Sequence, residues 1–442
     1  TKALRSIVAY FADGQVRTNA LKPVSLNATT AWSLATDTVF SIADNMLSVT
    51  MPEGNTVPTD TLNGVKDGYT KSFAISAIPN ILKGEGSESS PFLLETADDW
   101  YKLADFMFET KYEYPASYFR MVNDLDFNGQ EIRLIAVNGT KFGGVFDGNG
   151  KTVKNYTYTN NNSTSTATSW KEPHLYRGAT IGLFGTIAAE GVLKNLIADG
   201  QFNAYTNIGA IAGEVYGRVE NCEHKGTVYA TSTGVGGIAY RLQDGGSIVN
   251  CVNSGNVTNK TTYVAGIVHT VNEGGIVENC VNTGNVTPGT TGAFGIAYTF
   301  NGCGKNLVNK GALKATGTIA GICNTLGKDA TLDSCSNEVD ILMGEAASTV
   351  CGLVNNTTAN SAAAVGEPTS WIKNCYNTGN ISGKNSVFGL ANTIKNGVLL
   401  EDCYNTGDIS SVTTYGAYGI AGAVTSNNKP ELQPTVIRRV WN

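Results

Sequence analysis

From about residue 182 onward, apolar runs of three to six residues alternate with turn-forming polar residues, and the pattern repeats. One copy reads Val249-Asn250-Cys251-Val252-Asn253-Ser254-Gly255-Asn256-Val257. The next reads Glu278-Asn279-Cys280-Val281-Asn282-Thr283-Gly284-Asn285-Val286, and Cys375 and Cys403 centre two later copies. Cys222 and Cys335 mark weaker copies, and Leu196 and Leu307 take the cysteine's place in two more. Tyr156 and Val440 read as the first and last members. Most anchors lie 26 to 29 residues apart, while three longer steps carry insertions. A second motif falls between anchors: Gly182-Leu183-Phe184-Gly185, then Gly237-Ile238-Ala239, Gly266-Ile267-Val268 and so on to Gly419-Ile420-Ala421.

A period in this range means a solenoid, a propeller or an array. Helical repeats need apolar positions at i, i+3, i+4 and i+7 over ten or more residues, and these runs are too short and too β-branched. A propeller blade needs about 40 residues. A shorter unit with three short strands reads as one coil of a right-handed parallel β-helix. The fold class is therefore all-β, with about ten coils at ~4.8 Å spacing making a rod of about 48 Å. The anchor cysteine points inward, since Leu, Tyr and Val replace it, and so does the residue six further on, from Phe202 and Val228 to Ile409. The apolar residue three before the anchor (Val153, Leu193, Val219, Ile248 and their successors to Ile437) breaks strict alternation. A corner or bulge at the intervening Asn restores it, because Asn tolerates left-handed backbone. The Asn two after the anchor (253, 282, 309, 377, 405) is expected to bond its own copy coil after coil, as in cross-β Asn ladders. The cysteines then pack as buried free thiols, since stacked Cβ vectors run parallel and suit a disulfide poorly.

Two segments precede the repeats. In residues 83–155, Thr96 can cap a helix with Asp98 and Asp99 in its first turn and an apolar stripe of Trp100, Leu103, Ala104 and Phe108. Such a helix would cover the open end of the first coil. Residues 1–82 hold short strand signals separated by turn clusters and read as a small β-sandwich domain, leaving 156–442 to the coils. The ordered run Gly84-Glu85-Gly86-Ser87, Thr96-Ala97-Asp98-Asp99-Trp100, Val122-Asn123-Asp124-Leu125-Asp126 and Phe146-Asp147-Gly148-Asn149-Gly150 resembles the leader of bacterial surface proteins with GLUG-type repeats. Gly182-Leu183-Phe184-Gly185 resembles the repeat itself. This resemblance, to gut Bacteroides-type proteins, implies a secreted or surface location and an adhesin-like role, or attachment to a peptidase.

Composition narrows the function. Charged residues are 15% of the chain and the net charge is −6, which argues against nucleic acid as a partner. No run of about 18 apolar residues exists, so no transmembrane segment is expected. The chain begins at Thr1 without a leader, which points to a mature form whose targeting segment was removed, at the cell surface or outside it. With three histidines, scattered at 174, 224 and 269 and read as surface or turn residues, no metal and no cofactor are expected. Asp124, Asp126 and Asp147 offer paired carboxylates for glycoside hydrolysis or calcium, or else bond turn backbone at the coil corners. The mixed-sign column from Lys154 and Lys194 to Arg438 reads as a solvated face.

The insertions at 157–180 and 343–371 are the candidate binding loops. Trp170, His174, Tyr176 and Arg177 lie in the first and Trp371 closes the second. An exposed indole or phenol there can stack on a sugar face. The sequence thus favours a monomeric, adhesin-like binding protein for glycans or for host or bacterial surface proteins, without catalytic residues. A polysaccharide lyase or glycosidase built on the β-helix, and a passive stalk, are the alternatives.

Overall fold

A computed structural model describes residues 6–10, 24–49, 57–78, 81–160, 180–205, 207–232, 234–344, 346–359, 368–413, 416–425 and 435–442. About ten parallel coils stack into a β-helix, and a typical coil holds five short strands. In one coil these are Ser247–Val249, Val252–Asn253, Asn256–Asn259, Tyr263–Ala265 and Val268–Val271. Through most of the rod, the first three belong to a sheet of 22 strands and the last two to separate sheets of nine strands each. Register is in step from coil to coil: Ile248 pairs with Val277, and Asn253 with Asn282.

The corner expected before the cysteine is present. Asn195, Asn221, Asn250, Asn279, Asn306 and Asn374 all sit at φ between 52 and 55°, with Ser334, Asp402 and Arg439 in the same place and conformation. Asn pays little for that backbone and its amide is put to use. Asn221 Nδ2 donates to Asn195 Oδ1 at 3.2 Å, Asn250 to Asn221 at 3.1 Å, and Asn306 to Asn279 at 2.8 Å. The bend sends residues on both sides of it inward. Val219, Ile248, Val277 and Leu332 are fully buried, as are Cys222, Cys251, Cys280 and Cys335 and, six residues on, Val228, Val257 and Val286. All nine cysteines are free thiols. Those of the anchor column donate back to the carbonyl two residues earlier, as Cys251 does to Val249 at 3.3 Å.

A second Asn column, this one pointing inward, forms a continuous ladder. Asn253 donates to Asn282, Asn282 to Asn309, Asn309 to Asn337, Asn337 to Asn377, Asn377 to Asn405 and Asn405 to Asn442, each at 2.7–2.8 Å. Each of these donors also reaches the carbonyl two residues ahead, as Asn377 does to Gly379 at 2.8 Å. Satisfying both amide ends is what makes a buried Asn column tolerable, because each unpaired group would cost about 1–3 kcal/mol. Asn337 and Asn442 extend the column beyond the five members read from sequence.

Two sequence expectations are corrected here. Tyr156 is not the first anchor: Lys151 pairs with Leu196, and Val153 pairs with Ala198 in the column that the Asn ladder later occupies. His224 and His269 are not surface residues, with exposures of 1% and 7%. His224 occupies the ladder column itself, below Ala198 and above Asn253. His269 lies in an outer pile of rings, stacked on Tyr240 at 4.9 Å and tilted on Tyr298 at 5.0 Å.

The helix α1 spans Ala97–Thr110, with the Asp99 carboxylate accepting from the Thr96 N–H and hydroxyl at 3.1 Å. It buries Trp100, Leu103, Ala104, Phe106, Met107 and Phe108. The indole of Trp100 meets Phe127, Phe146 and Phe184 edge-on and donates to the Arg133 carbonyl at 2.8 Å, so α1 closes the first coil as expected. At the other end Val436–Trp441 pairs with Val398–Asn405, where Glu401 accepts from Arg438 and Arg439. Within 1–82, a four-stranded and a three-stranded sheet enclose Phe40, Leu47, Val49, Leu62, Ile75 and Ala77. The strands Ala31–Leu34 and Thr59–Lys66 escaped the sequence reading.

Candidate functional site

Of the sequence-derived binding residues, Trp371 alone lies among the described residues. Trp170, His174, Tyr176 and Arg177 lie outside the described residues. Trp371 is described, but on the strand Ser370–Lys373, paired with Thr331 and Leu399 on either side. The Lys373 ammonium sits 5.0 Å from its ring centroid, so one face of the indole is occupied. The segment 343–371 is not a single loop either, since it contains the strands Thr349–Cys351 and Val354–Thr357.

The three carboxylates singled out in the leader hold turns. Asp126 Oδ1 accepts from the Asn128 N–H at 2.9 Å, and both of its oxygens accept from Asn155 Nδ2 at 3.0 Å. Asp147 Oδ1 accepts from the Asn149 N–H at 2.8 Å and from Asn195 Nδ2 at 2.9 Å. Asp124 accepts from the Thr152 N–H at 2.9 Å, which with Lys154 holds its carboxyl below the usual range. Among the described residues no three His, Cys, Asp or Glu side chains are placed to hold a metal ion.

A groove of about 480 Å³ opens beside these turns. Its origin is a bulge. Between Lys154 and Thr157 the strand Val145–Asn160 carries one residue more than its neighbour, where Asp199 and Gln201 take the matching partners. Such a bulge interrupts pairing and re-aims side chains. Asn155 turns at φ 54° to accommodate it. The floor is glycine on three levels, Gly129, Gly200 and Gly226. Asn128, Asn155, Thr157, Asp199, Gln201, Lys225 and Thr227 line the sides. Behind Gly200 lies Tyr156, 1% exposed, whose ring a methyl on Gly200 would meet at 2.4 Å and whose hydroxyl has no hydrogen-bond partner. Burial raises the pKa of that hydroxyl well above the usual tyrosine range.

Farther along, a groove of about 510 Å³ is bordered by Asp244, Glu273, Asp329 and the exposed thiol of Cys303. On another outer face, Tyr240, His269, Tyr298 and Tyr263 cover one another, with Tyr263 and Tyr298 stacked at 4.3 Å. Their faces are spent on packing. No sequence signal marked the first groove, because a single extra residue does not disturb the hydrophobic pattern.

No protein-family profile matches the chain. Over 148 residues it is 28% identical to a protein of Evansella cellulosilytica described as a Gly-rich membrane protein, a match covering 31% of this chain and 15% of that one. Among solved structures it is similar to a chain described as IgA1 Protease, with TM-score 0.43 and 13% identity, over 89% of this chain and 30% of that chain. The chain thus spans less than a third of either protein. No helix among the described residues is long and apolar enough to cross a membrane.

Proposed function

We propose that this chain is an adhesin-like binding protein of the cell surface or extracellular space, a rigid β-helical rod that presents a carbohydrate site at its capped end. The bulge-made groove over Gly129, Gly200 and Gly226 carries this reading. Its lining of amides, hydroxyls and one carboxylate matches what sugar hydroxyls require, and its volume falls in the range of small-molecule sites. A rod paired coil on coil holds those groups without a mobile scaffold, which favours precise recognition. The strand forming one wall runs to Asn160, and Trp170, His174, Tyr176 and Arg177 follow it in the sequence. The glycosidase alternative needs a pair of carboxylates flanking the scissile bond, and Asp124, Asp126 and Asp147 are engaged in turns.

The test is an array of mucin, plant and host glycans probed with purified protein, its Asp199→Ala variant and its Trp170→Ala variant. Binding to one glycan class, weakened at least tenfold by either substitution, supports the reading. Absence of binding across the array sinks it and returns weight to a protein partner or a passive stalk.

A further inference from the structure

Resting on the binding reading above, we infer that the groove takes a neutral, hydroxyl-rich saccharide held edge-on by hydrogen bonds, with Asp199 as its principal acceptor. The first support is which groups are free. Asp199, Gln201 and Thr227 make no hydrogen bond or ion pair through their side chains within the described chain, and neither does the amide of Asn128, whereas the polar groups around them are engaged. Asn155 is held by Asp126 at 3.0 Å, the Thr157 hydroxyl by the Gly129 carbonyl at 3.4 Å, and Lys225 by Glu223 at 3.3 Å. The open groups come from three levels of the rod, Asn128 being separated from Asp199 and Gln201 by the engaged Asn155–Thr157 level and Thr227 following directly on, so they are presented to a ligand that spans levels.

The second support is charge. Glu223 balances the one lysine of the lining, which leaves the Asp199 carboxylate as the unpaired charge. A sulfated or uronic chain would meet that carboxylate with like charge, while a vicinal diol would donate to it in charge-assisted hydrogen bonds. The third is the floor. Three glycines bring backbone to the surface, and the one aromatic ring of the lining lies buried behind Gly200. With no exposed ring face among the described lining residues, these walls read a sugar by its hydroxyl edge and not by its apolar face. The unpartnered Tyr156 hydroxyl adds a buried polar atom at the same place.

Isothermal titration calorimetry with β-mannan, laminarin and arabinoxylan as neutral probes, and polygalacturonate and heparin as anionic ones, tests this. Binding of a neutral probe should change less than threefold between 50 and 500 mM salt, because no ion pair contributes. Asp199→Asn and Gln201→Ala should each weaken it tenfold or more, with the circular dichroism spectrum unchanged; both side chains are exposed, so folding is not at risk. Neutral binding untouched by both variants overturns this groove while leaving the carbohydrate reading intact. Binding of the polyanions alone overturns the ligand class. Binding of none of the five probes by a protein that binds only anionic glycans on the array also overturns the class; silence on both overturns the site together with the binding reading.

Discussion

Gly266 lies directly behind Asn282: a methyl group on Gly266 would fall 2.5 Å from Asn282 Cγ and 2.2 Å from the Gly295 carbonyl oxygen. The same relation ties Gly237 to Asn253, Gly295 to Asn309 and Gly321 to Asn337. The two sequence motifs are therefore one device, a glycine that clears space for the amide of the inner ladder. Gly266→Ala should destabilise by about 1–3 kcal/mol through overpacking. Asn282→Ala should cost about 2–5 kcal/mol, since it leaves the Asn253 amide and the Asn309 carbonyl oxygen buried without their partner. The double variant should cost less than the sum of the singles, because the smaller side chain makes room for the methyl. Urea denaturation of all three gives the coupling, and strict additivity would contradict the relation.

His224 starts the ladder. Its Nδ1 lies 2.7 Å from Asn253 Oδ1 and its Nε2 has no partner, so the ring is neutral with the proton on Nδ1. Burial depresses its pKa to about 4, against the opposing pull of Asn253, Asp199 and Glu223. Burial and Arg241 depress His269 to about 3. An unfolded histidine takes up its proton near pH 6.5, so between there and pH 4 the unfolded chain binds more protons. The stabilisation is full above pH 6.5 and is lost as pH falls through that window, up to about 3 kcal/mol for His224. Asp105 acts in the opposite sense, since burial lifts its carboxyl to about 6 despite Arg133. His224→Asn, which keeps a donor for Asn253, should flatten the loss between pH 6.5 and 4.5 when urea midpoints are compared with the parent; an unchanged slope would refute the assignment.

The thiols offer a count. Eight of the nine cysteines are buried and Cys303 is exposed. Burial pushes the thiols of Cys222, Cys251, Cys323 and Cys351 up, which keeps them protonated and unreactive. Ellman's reagent should titrate one thiol in native protein and nine in denaturant, and Cys303→Ser should abolish the native signal. Fewer than nine in denaturant without reductant would reveal a disulfide.

What the sequence disclosed follows from periodicity. An inward position recurs in every coil, so the coil architecture, the Asn corner and most of the ladder could be read from spacing alone. Single residues that break the period could not. Gly148, Asn149 and Gly150 stand opposite the single residue Asn195, a shift that puts Lys151 beside Leu196, while the Asn155-Tyr156 pair keeps the Asn-apolar spelling of an anchor without its position. The groove went unseen for the same reason. His224 was missed because it is the one non-Asn polar member of its column, and its meaning depends on Ala198 above and Asn253 below. Trp371 looked like a loop residue because the insertion before it hides the return to the sheet.

The cap makes a separate claim about assembly. Trp100 has no exposed surface, touches Phe127, Phe146 and Phe184, and spends its N–H on the Arg133 carbonyl. Replacing it with Ala removes a large buried ring and leaves that carbonyl without its donor. The cost should be about 3–5 kcal/mol. The loss falls on the element that shields the first coil, and exposed strand edges template pairing between chains. Trp100→Ala should therefore associate as well as melt earlier, whereas Tyr101→Ala, at the half-buried neighbouring position, should melt only slightly earlier and stay dispersed. Size-exclusion chromatography with light scattering, run beside thermal melts, separates the two effects. A Trp100→Ala protein that melts early yet stays monomeric at high concentration would mean that α1 stabilises the rod without guarding its edge.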